Sequence, residues 1–417
     1  MRWLIKSAVI VDPGGKLNGE TRDLLVEDGV IIGIKAKISD AKAEKISFPG
    51  LHVSAGLCDL QANFREPGHE YKEGLHNGLD AAARGGFTHV VSMPNTSPAI
   101  KGRAEVEYLL RRASGHTVQL HPAAAMSAGL QGKQLAEMFD MASAGVVMFT
   151  DNGPIERSEL MKRSLEYTTN FGALIGTLPY DADLAGKGVV HEGLTSTKNG
   201  LKGIPVQSET IRIMRDIELV KYTGGKLHFQ LISSADSLDL IRKAKKEGVQ
   251  ITCGVSANHL FFNDDALTEF DANLKVMPPL RSESDRKALL KGIKDGSIDC
   301  IVSDHQPEDI EHKNKEFEYA EFGIGAIEQA FSAALTAGLS AEQVISAMAI
   351  NPREILGLNY DGIKENTTVD LVLFNPNAEV HVEKANLISK AWNNPYVGKK
   401  LKGAIYGVLR EDSTLLF

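Results

Sequence analysis

Short apolar runs and amphipathic stretches alternate through the middle of the chain, while both ends carry a different pattern. The runs His89 to Met93, Gly145 to Thr150, Ala173 to Leu178, Lys226 to Ile232, Gln250 to Ser256 and Ile298 to Asp304 have the length of buried strands. Ile155 to Asn170, Ser208 to Tyr222 and Ala235 to Glu247 carry a helical apolar period and separate several of them. Strands alternating with helices predict a parallel sheet with crossover helices, consistent with an eightfold β/α barrel of the TIM type. Near the termini the apolar positions follow short β-rich runs with Gly and Asp turns instead. These are Leu4 to Val11, Leu24 to Val26, Val30 to Ile38, Asp370 to Phe374, Ala378 to Val382 and Gly403 to Val408. The expectation is an α/β chain with a (β/α)8 barrel over 55–364 and a small β-sandwich that 1–54 and 365–417 build together.

At 417 residues the chain has room for a barrel of roughly 250 residues and one smaller domain. No stretch approaches the roughly 18 uninterrupted apolar residues of a membrane span. The opening Met-Arg-Trp-Leu-Ile-Lys lacks a signal-peptide core, so a cytoplasmic location is expected. Cys58, Cys253 and Cys300 lie in apolar runs without Cys-x-x-Cys spacing, which predicts buried free thiols and no zinc site of their own. A net charge of −8 with no basic stripe argues against a nucleic-acid partner. Two readings stand for the polar stretch Glu308 to Glu321: a mobile loop over the barrel mouth, or a solvated surface connection.

Candidate chemistry centres on Gly56-Leu57-Cys58-Asp59-Leu60-Gln61-Ala62-Asn63-Phe64-Arg65-Glu66-Pro67-Gly68, a short strand ending in a polar turn. Barrel enzymes place reactive groups at such strand ends, and alternate strand residues face one side. The stretch resembles the dihydroorotase branch of the amidohydrolase superfamily, whose strand reads Asp-x-His-x-His-x-Arg-Glu-Pro-Gly. Further pieces in the family's order are Ala81 to Thr88, Met93-Pro94-Asn95-Thr96, Pro278-Pro279-Leu280-Arg281, Asn351-Pro352 and Leu401-Lys402-Gly403.

The resemblance implies a zinc-activated hydroxide acting on the cyclic amide of dihydroorotate, with six metal-ligand positions. Here those positions hold Gln61, Asn63, Asp151, Thr177, Leu231 and Asp304. Four imidazoles are missing, and a leucine has no donor atom for any metal. Asp151 reads either as a surviving ligand or as a turn-former before Asn152-Gly153. Asp304 matches the family's catalytic aspartate and is vestigial without a metal-bound hydroxide to serve. If it and Asp151 lie together, one of them needs a hydrogen-bond donor or a proton, with Gln61, Asn63 and Thr177 as candidate donors. An oxygen-only Mg²⁺ or Ca²⁺ site from Asp151, Asp304, Gln61 and Asn63 is a further reading. His228 matches a non-ligand histidine and reads as a core residue, and His259 alone cannot restore a ligand set.

Arg65 and Asn95 match the family's grip on the substrate carboxylate, leaving an anion site as one reading. In the other, Arg65 pairs with Glu66 or a freed aspartate. The family's second histidine after Asp304-His305 is Glu308, and the residue before Pro278 is Met277 where the family has Asn.

The leading expectation is therefore a catalytically inactive dihydroorotase homologue with no cofactor. Its implied role is structural or regulatory in pyrimidine biosynthesis, with aspartate carbamoyltransferase as the implied partner and a homodimer as the implied assembly. The alternative is an active dihydroorotase, or another cyclic-amide hydrolase, with zinc in an atypical site. A third reading is a sensor that binds dihydroorotate or carbamoyl-aspartate through Arg65 and Asn95.

Overall fold

In the computed structural model, which describes residues 1–417, the chain opens with β1 (Arg2–Ile10), β2 (Thr21–Glu27), β3 (Val30–Lys35), β4 (Glu44–Ile46) and β5 (His52–Ala55). Gly56 then carries it directly into the barrel. A Cβ there would stand 2.1 Å from Thr88 Oγ1 and 2.7 Å from Asp370 Oδ1, so the crossing point admits no larger residue.

The barrel strands are β6 (Leu57–Ala62), β7 (Phe87–Ser92), β8 (Gln119–Ala124), β9 (Met148–Phe149) and β10 (Leu174–Thr177). After β11 (Val190–His191) and β12 (Gly203–Ile204), which pair only with each other, come β13 (Lys226–Phe229), β14 (Ile251–Ser256) and β15 (Cys300–Val302). The eight barrel strands pair in parallel and in chain order, as right-handed β/α crossovers dictate. Closure comes from Ala62 bridging His305, with Asn63 N donating to His305 O at 2.8 Å. The predicted helices are present at Ser158–Thr169, Gln207–Thr223 and Ala235–Lys246.

Two apolar layers hold this barrel, as the fold requires. Outside, a cluster of 76 buried residues joins strands to helices. Inside, Leu60, Val91, Met93, Ala123, Met148, Leu231, Cys300 and Val302 form a separate cluster. The spacing of Val91 to Met93, and of Cys300 to Val302, follows the two-residue period of a strand face.

Returning to the N-terminal strands, the chain ends with β16 (Asp370–His381), β17 (Lys400–Arg410) and β18 (Ser413–Leu416). β16 pairs with β5, so the expected sandwich of both chain ends takes the form of one continuous eight-stranded sheet. Its own cluster of 14 buried residues, including Ile5, Leu24, Val53, Leu371 and Leu409, draws on both termini.

One side chain ties sheet to barrel. Arg353 is 1% exposed and donates to Gly56 O and Ala349 O, both at 2.7 Å, to Asp370 Oδ2 at 2.6 Å and to Thr88 Oγ1 at 3.3 Å. Arg353→Met keeps most of the bulk but leaves two carbonyls and a carboxylate short of a donor. The expected loss is on the order of 3 kcal/mol in urea unfolding, and a loss within error of zero contradicts this role.

Candidate functional site

The loops after β6, β10, β13 and β15 converge at the C-terminal mouth of the barrel, where this fold builds its sites. Arg65 at φ +63°, Asn152 at φ +51° and Asp304 at φ +49° hold left-handed backbone there without being glycine. Such conformations cost energy and persist where surrounding contacts enforce them.

Two amides meet the Asp304 carboxylate. Gln61 Nε2 donates to Asp304 Oδ1 at 3.0 Å, and Gln306 Nε2 donates to the same oxygen at 2.8 Å. Gln61 is thus the donor expected for a freed carboxylate. Its own Oε1 is buried without a partner, as is Ser92 Oγ on β7. Asn63 donates to His305 O at 3.2 Å and accepts from Asn152 Nδ2 at 3.3 Å, so it serves barrel closure and not Asp304. Burial pushes the Asp304 carboxyl up to about 7, with nearby Asp59 adding to the rise and the two amides opposing it. Asp59 is itself raised to about 6 by burial, although it accepts from Ser303 Oγ, Ser303 N and Gln61 N.

The second surviving acid is engaged elsewhere. Asp151 accepts from Met126 N at 3.0 Å, from Ser127 N at 2.9 Å and from Ser127 Oγ. Both of its oxygens organise the loop after β8, which corrects the reading of Asp151 as an oxygen ligand facing Asp304. In the turn itself, Asn152 holds φ +51° and its N–H donates to Thr150 Oγ1 at 3.0 Å, so the Asp151 side chain takes no part there either. Thr177 is buried at the end of β10, and Leu231 joins the apolar cluster inside the barrel. His259 uses both ring nitrogens, on Ser256 Oγ and Pro278 O, and so cannot replace a lost ligand. His228 is buried and pairs with Thr252 Oγ1 at 2.8 Å.

Arg65 is not an open anion grip. Its Nη2 donates to Glu308 Oε1 at 2.7 Å, while Lys72 Nζ donates to Glu308 Oε2 at 2.5 Å. Glu66 lies elsewhere, accepting from Leu75 N, Tyr108 Oη and Arg112 Nε. The partner of Arg65 is therefore neither Glu66 nor a freed aspartate. Asn95 is half-buried in the turn after β7. The reading of 308–321 as a mobile loop is also corrected, because two largely buried lysines pin it. Lys313 Nζ donates to Glu321 O and Gly323 O, and Lys275 Nζ to Phe317 O and Glu318 O.

Glu308 and Lys72 join Arg65 at the mouth, a grouping that no local sequence pattern announces. The available signal was a carboxylate standing where the family has histidine, close to a retained arginine. A cavity of about 650 Å³ lined by Trp3, Leu110, His116 and Arg410 shares no residue with the mouth.

Residues 50–237 match the family model described as Dihydro-orotase-like. A protein of Caldanaerobacter subterraneus subsp. tengcongensis named dihydroorotase is 40% identical over 412 residues, covering 97% of this chain and 95% of its own. The chain belongs to the dihydroorotase family. A dihydroorotase of Acetivibrio thermocellus is 39% identical, with 97% of each chain covered. Among solved structures, L-hydantoinase (dihydropyrimidinase) from Arthrobacter aurescens superposes with a TM-score of 0.86 at 21% identity, covering 99% of this chain and 95% of that one. Dihydropyrimidinase from Brevibacillus agri gives 0.85 at 19% identity, covering 100% and 95%. At those identities the structures speak for the barrel alone.

The zinc that dihydroorotases imply can be tested against this donor set. No three His, Cys, Asp or Glu side chains gather into a metal-holding group. Leu231 offers nothing, Asp151 is turned to Ser127, and an amide N–H points at Asp304 from Gln61. The residues present do not fit zinc.

The raised Asp304 carboxyl has a pH consequence. A carboxyl whose folded pKa exceeds its unfolded value of about 4 binds more protons folded than unfolded, so its contribution favours the fold at low pH and is lost as pH rises to about 7. Asp304→Asn removes that loss and supplies an N–H within the same buried group. Relative to wild type, the variant gains on the order of 1–3 kcal/mol between about pH 4 and 8 in urea unfolding. Parallel pH profiles contradict the assignment.

Proposed function

We propose that this dihydroorotase-family chain does not carry out dihydroorotase chemistry and serves as a structural or regulatory partner in pyrimidine biosynthesis. The observation that supports this reading is the state of the mouth. An apolar side chain and two carboxamides stand at ligand positions, and the remaining acids are hydrogen-bonded within the chain. Ring opening of a cyclic amide needs a nucleophile and a stabilised oxyanion, which a metal supplies in one stroke. Here the amides of Gln61 and Gln306 both donate to one oxygen of Asp304, so that carboxylate is engaged within the chain. Aspartate carbamoyltransferase is the partner this reading names, and a homodimer of this chain is its assembly.

A second reading is an active dihydroorotase or related cyclic-amide hydrolase. The names of relatives at up to 40% identity favour it. The donor set opposes it.

Turnover separates the two. Purified protein, with and without added zinc, is expected to neither open dihydroorotate nor close carbamoyl-aspartate faster than Asp304→Asn. Zinc-dependent turnover that the Asp304 variant loses establishes the second reading instead. For the partnership, co-purification from the native cell is expected to recover a carbamoyltransferase in stoichiometric amount, and recovery of free protein alone contradicts it.

A further inference from the structure

A cavity of about 650 Å³ lies where the terminal sheet meets the foot of the barrel. On the barrel side it is bounded by Leu110 and Ala113, at the end of the helix Arg103–Ala113, and by the start of β8. On the sheet side stand Trp3 of β1 and Arg410, the last residue of β17. Strand β8 begins here and runs toward the mouth, so the cavity occupies the opposite end of the barrel from Asp304. Its volume and its place at a junction between two layers are those of a small-molecule site.

The walls are apolar and the charge is concentrated in one side chain. Trp3, Leu110, Ala113, Val118 and Leu120 supply the apolar surface. The Arg410 side chain is 15% exposed, and its Nη2 donates to Gln119 Oε1 at 2.9 Å and to Glu411 Oε1 at 2.5 Å. Those two contacts hold the guanidinium between barrel and sheet. Its Nε and Nη1 find no acceptor in the chain, and neither is sealed from solvent. The other ionisable side chains of the cavity are turned elsewhere. His116 uses both ring nitrogens, on Asp80 and on Val118 N. Asp412 leans to the turn between β2 and β3, where its Oδ1 would stand 2.9 Å from a Cβ on Gly29. Glu411 is 57% exposed and meets Nη2 alone. Arg410 also borders a neighbouring cavity of about 240 Å³, but Asp361 and Asp370 line that one and their charge disfavours an anion there.

We propose that the larger cavity binds a small organic anion with an apolar, ring-bearing body. The charged head takes the free donors of Arg410, and the body lies against Trp3, Leu110 and Leu120. A ligand seated there touches barrel and sheet together, so it favours their docked arrangement and stabilises the folded chain. The inference goes beyond the reading of the mouth and uses none of its residues.

The probe is anilinonaphthalenesulfonate, with phenylnaphthylamine as a counterpart that keeps the rings and lacks the sulfonate. Both dyes brighten on entering an apolar site. Wild type is expected to bind the sulfonate dye saturably, one per chain, with a dissociation constant on the order of tens of micromolar. Arg410→Gln binds it about tenfold more weakly, while the neutral dye binds both proteins alike. Of the chain's two tryptophans, Trp3 lines the cavity and Trp392 does not. Excitation of tryptophan therefore sensitises the bound dye in wild type and in Trp392→Phe, and not in Trp3→Phe. Ser114→Phe, at an exposed position on the rim, fills the opening and abolishes binding, and it carries the test should Arg410→Gln fail to fold. Equal affinity of the sulfonate dye for wild type and Arg410→Gln, sensitised emission that survives Trp3→Phe, or undiminished binding by Ser114→Phe overturns the proposal.

Discussion

A carboxylate removed from water has to be answered by a donor, a cation or a proton, and that requirement organises the whole mouth of this barrel. In a metal-dependent hydrolase the cation is the answer. Here each buried acid finds its own inside the chain. Asp304 takes the amides of Gln61 and Gln306, Asp151 takes Ser127, Asp59 takes Ser303, Glu73 takes His305 and Ser389, and Glu308 takes Arg65 and Lys72. Arg65 and Asp304, two of the residues in these pairings, also hold left-handed backbone.

Such a rearrangement is cooperative in its chemistry. Leucine at position 231 belongs to the apolar cluster inside the barrel, and Asp304 is itself desolvated by burial. Desolvation favours an amide neighbour over an open coordination position. Two amide donors on one oxygen still leave Asp304 well above the usual carboxylate range, so burial outweighs them. The unpartnered Gln61 Oε1 is the residual mismatch of a position that offers both a donor and an acceptor where only the donor is used.

Much of the fold was legible because its signals are local. The parallel strands showed as apolar runs, and Ser158–Thr169, Gln207–Thr223 and Ala235–Lys246 showed as helical periods. β8 did not stand out, since Gln119-Leu120-His121-Pro122-Ala123-Ala124 combines a proline, a histidine and two alanines that mimic a turn. The two runs from Asp370 and Ala378 proved to be one strand, because Asn375-Pro376-Asn377 carries turn residues yet passes through an irregular stretch of its pairing with β17. At the site, the residues standing at the positions the resemblance implies for ligands were readable one by one. The new partners were not. Asp151 with Ser127 and Arg65 with Glu308 are set by which loops the barrel brings together, across separations of 24 and 243 residues, and no local pattern encodes that.

On the non-catalytic reading proposed above, these internal pairings leave no place for a zinc ion between Gln61, Asn63, Asp151, Thr177, Leu231 and Asp304. Its most direct measurement is the metal content of the purified chain after equilibration with excess zinc and removal of free ion. The account predicts retained zinc far below one ion per chain, unchanged in Asp304→Asn. Stoichiometric zinc that disappears in Asp304→Asn contradicts it.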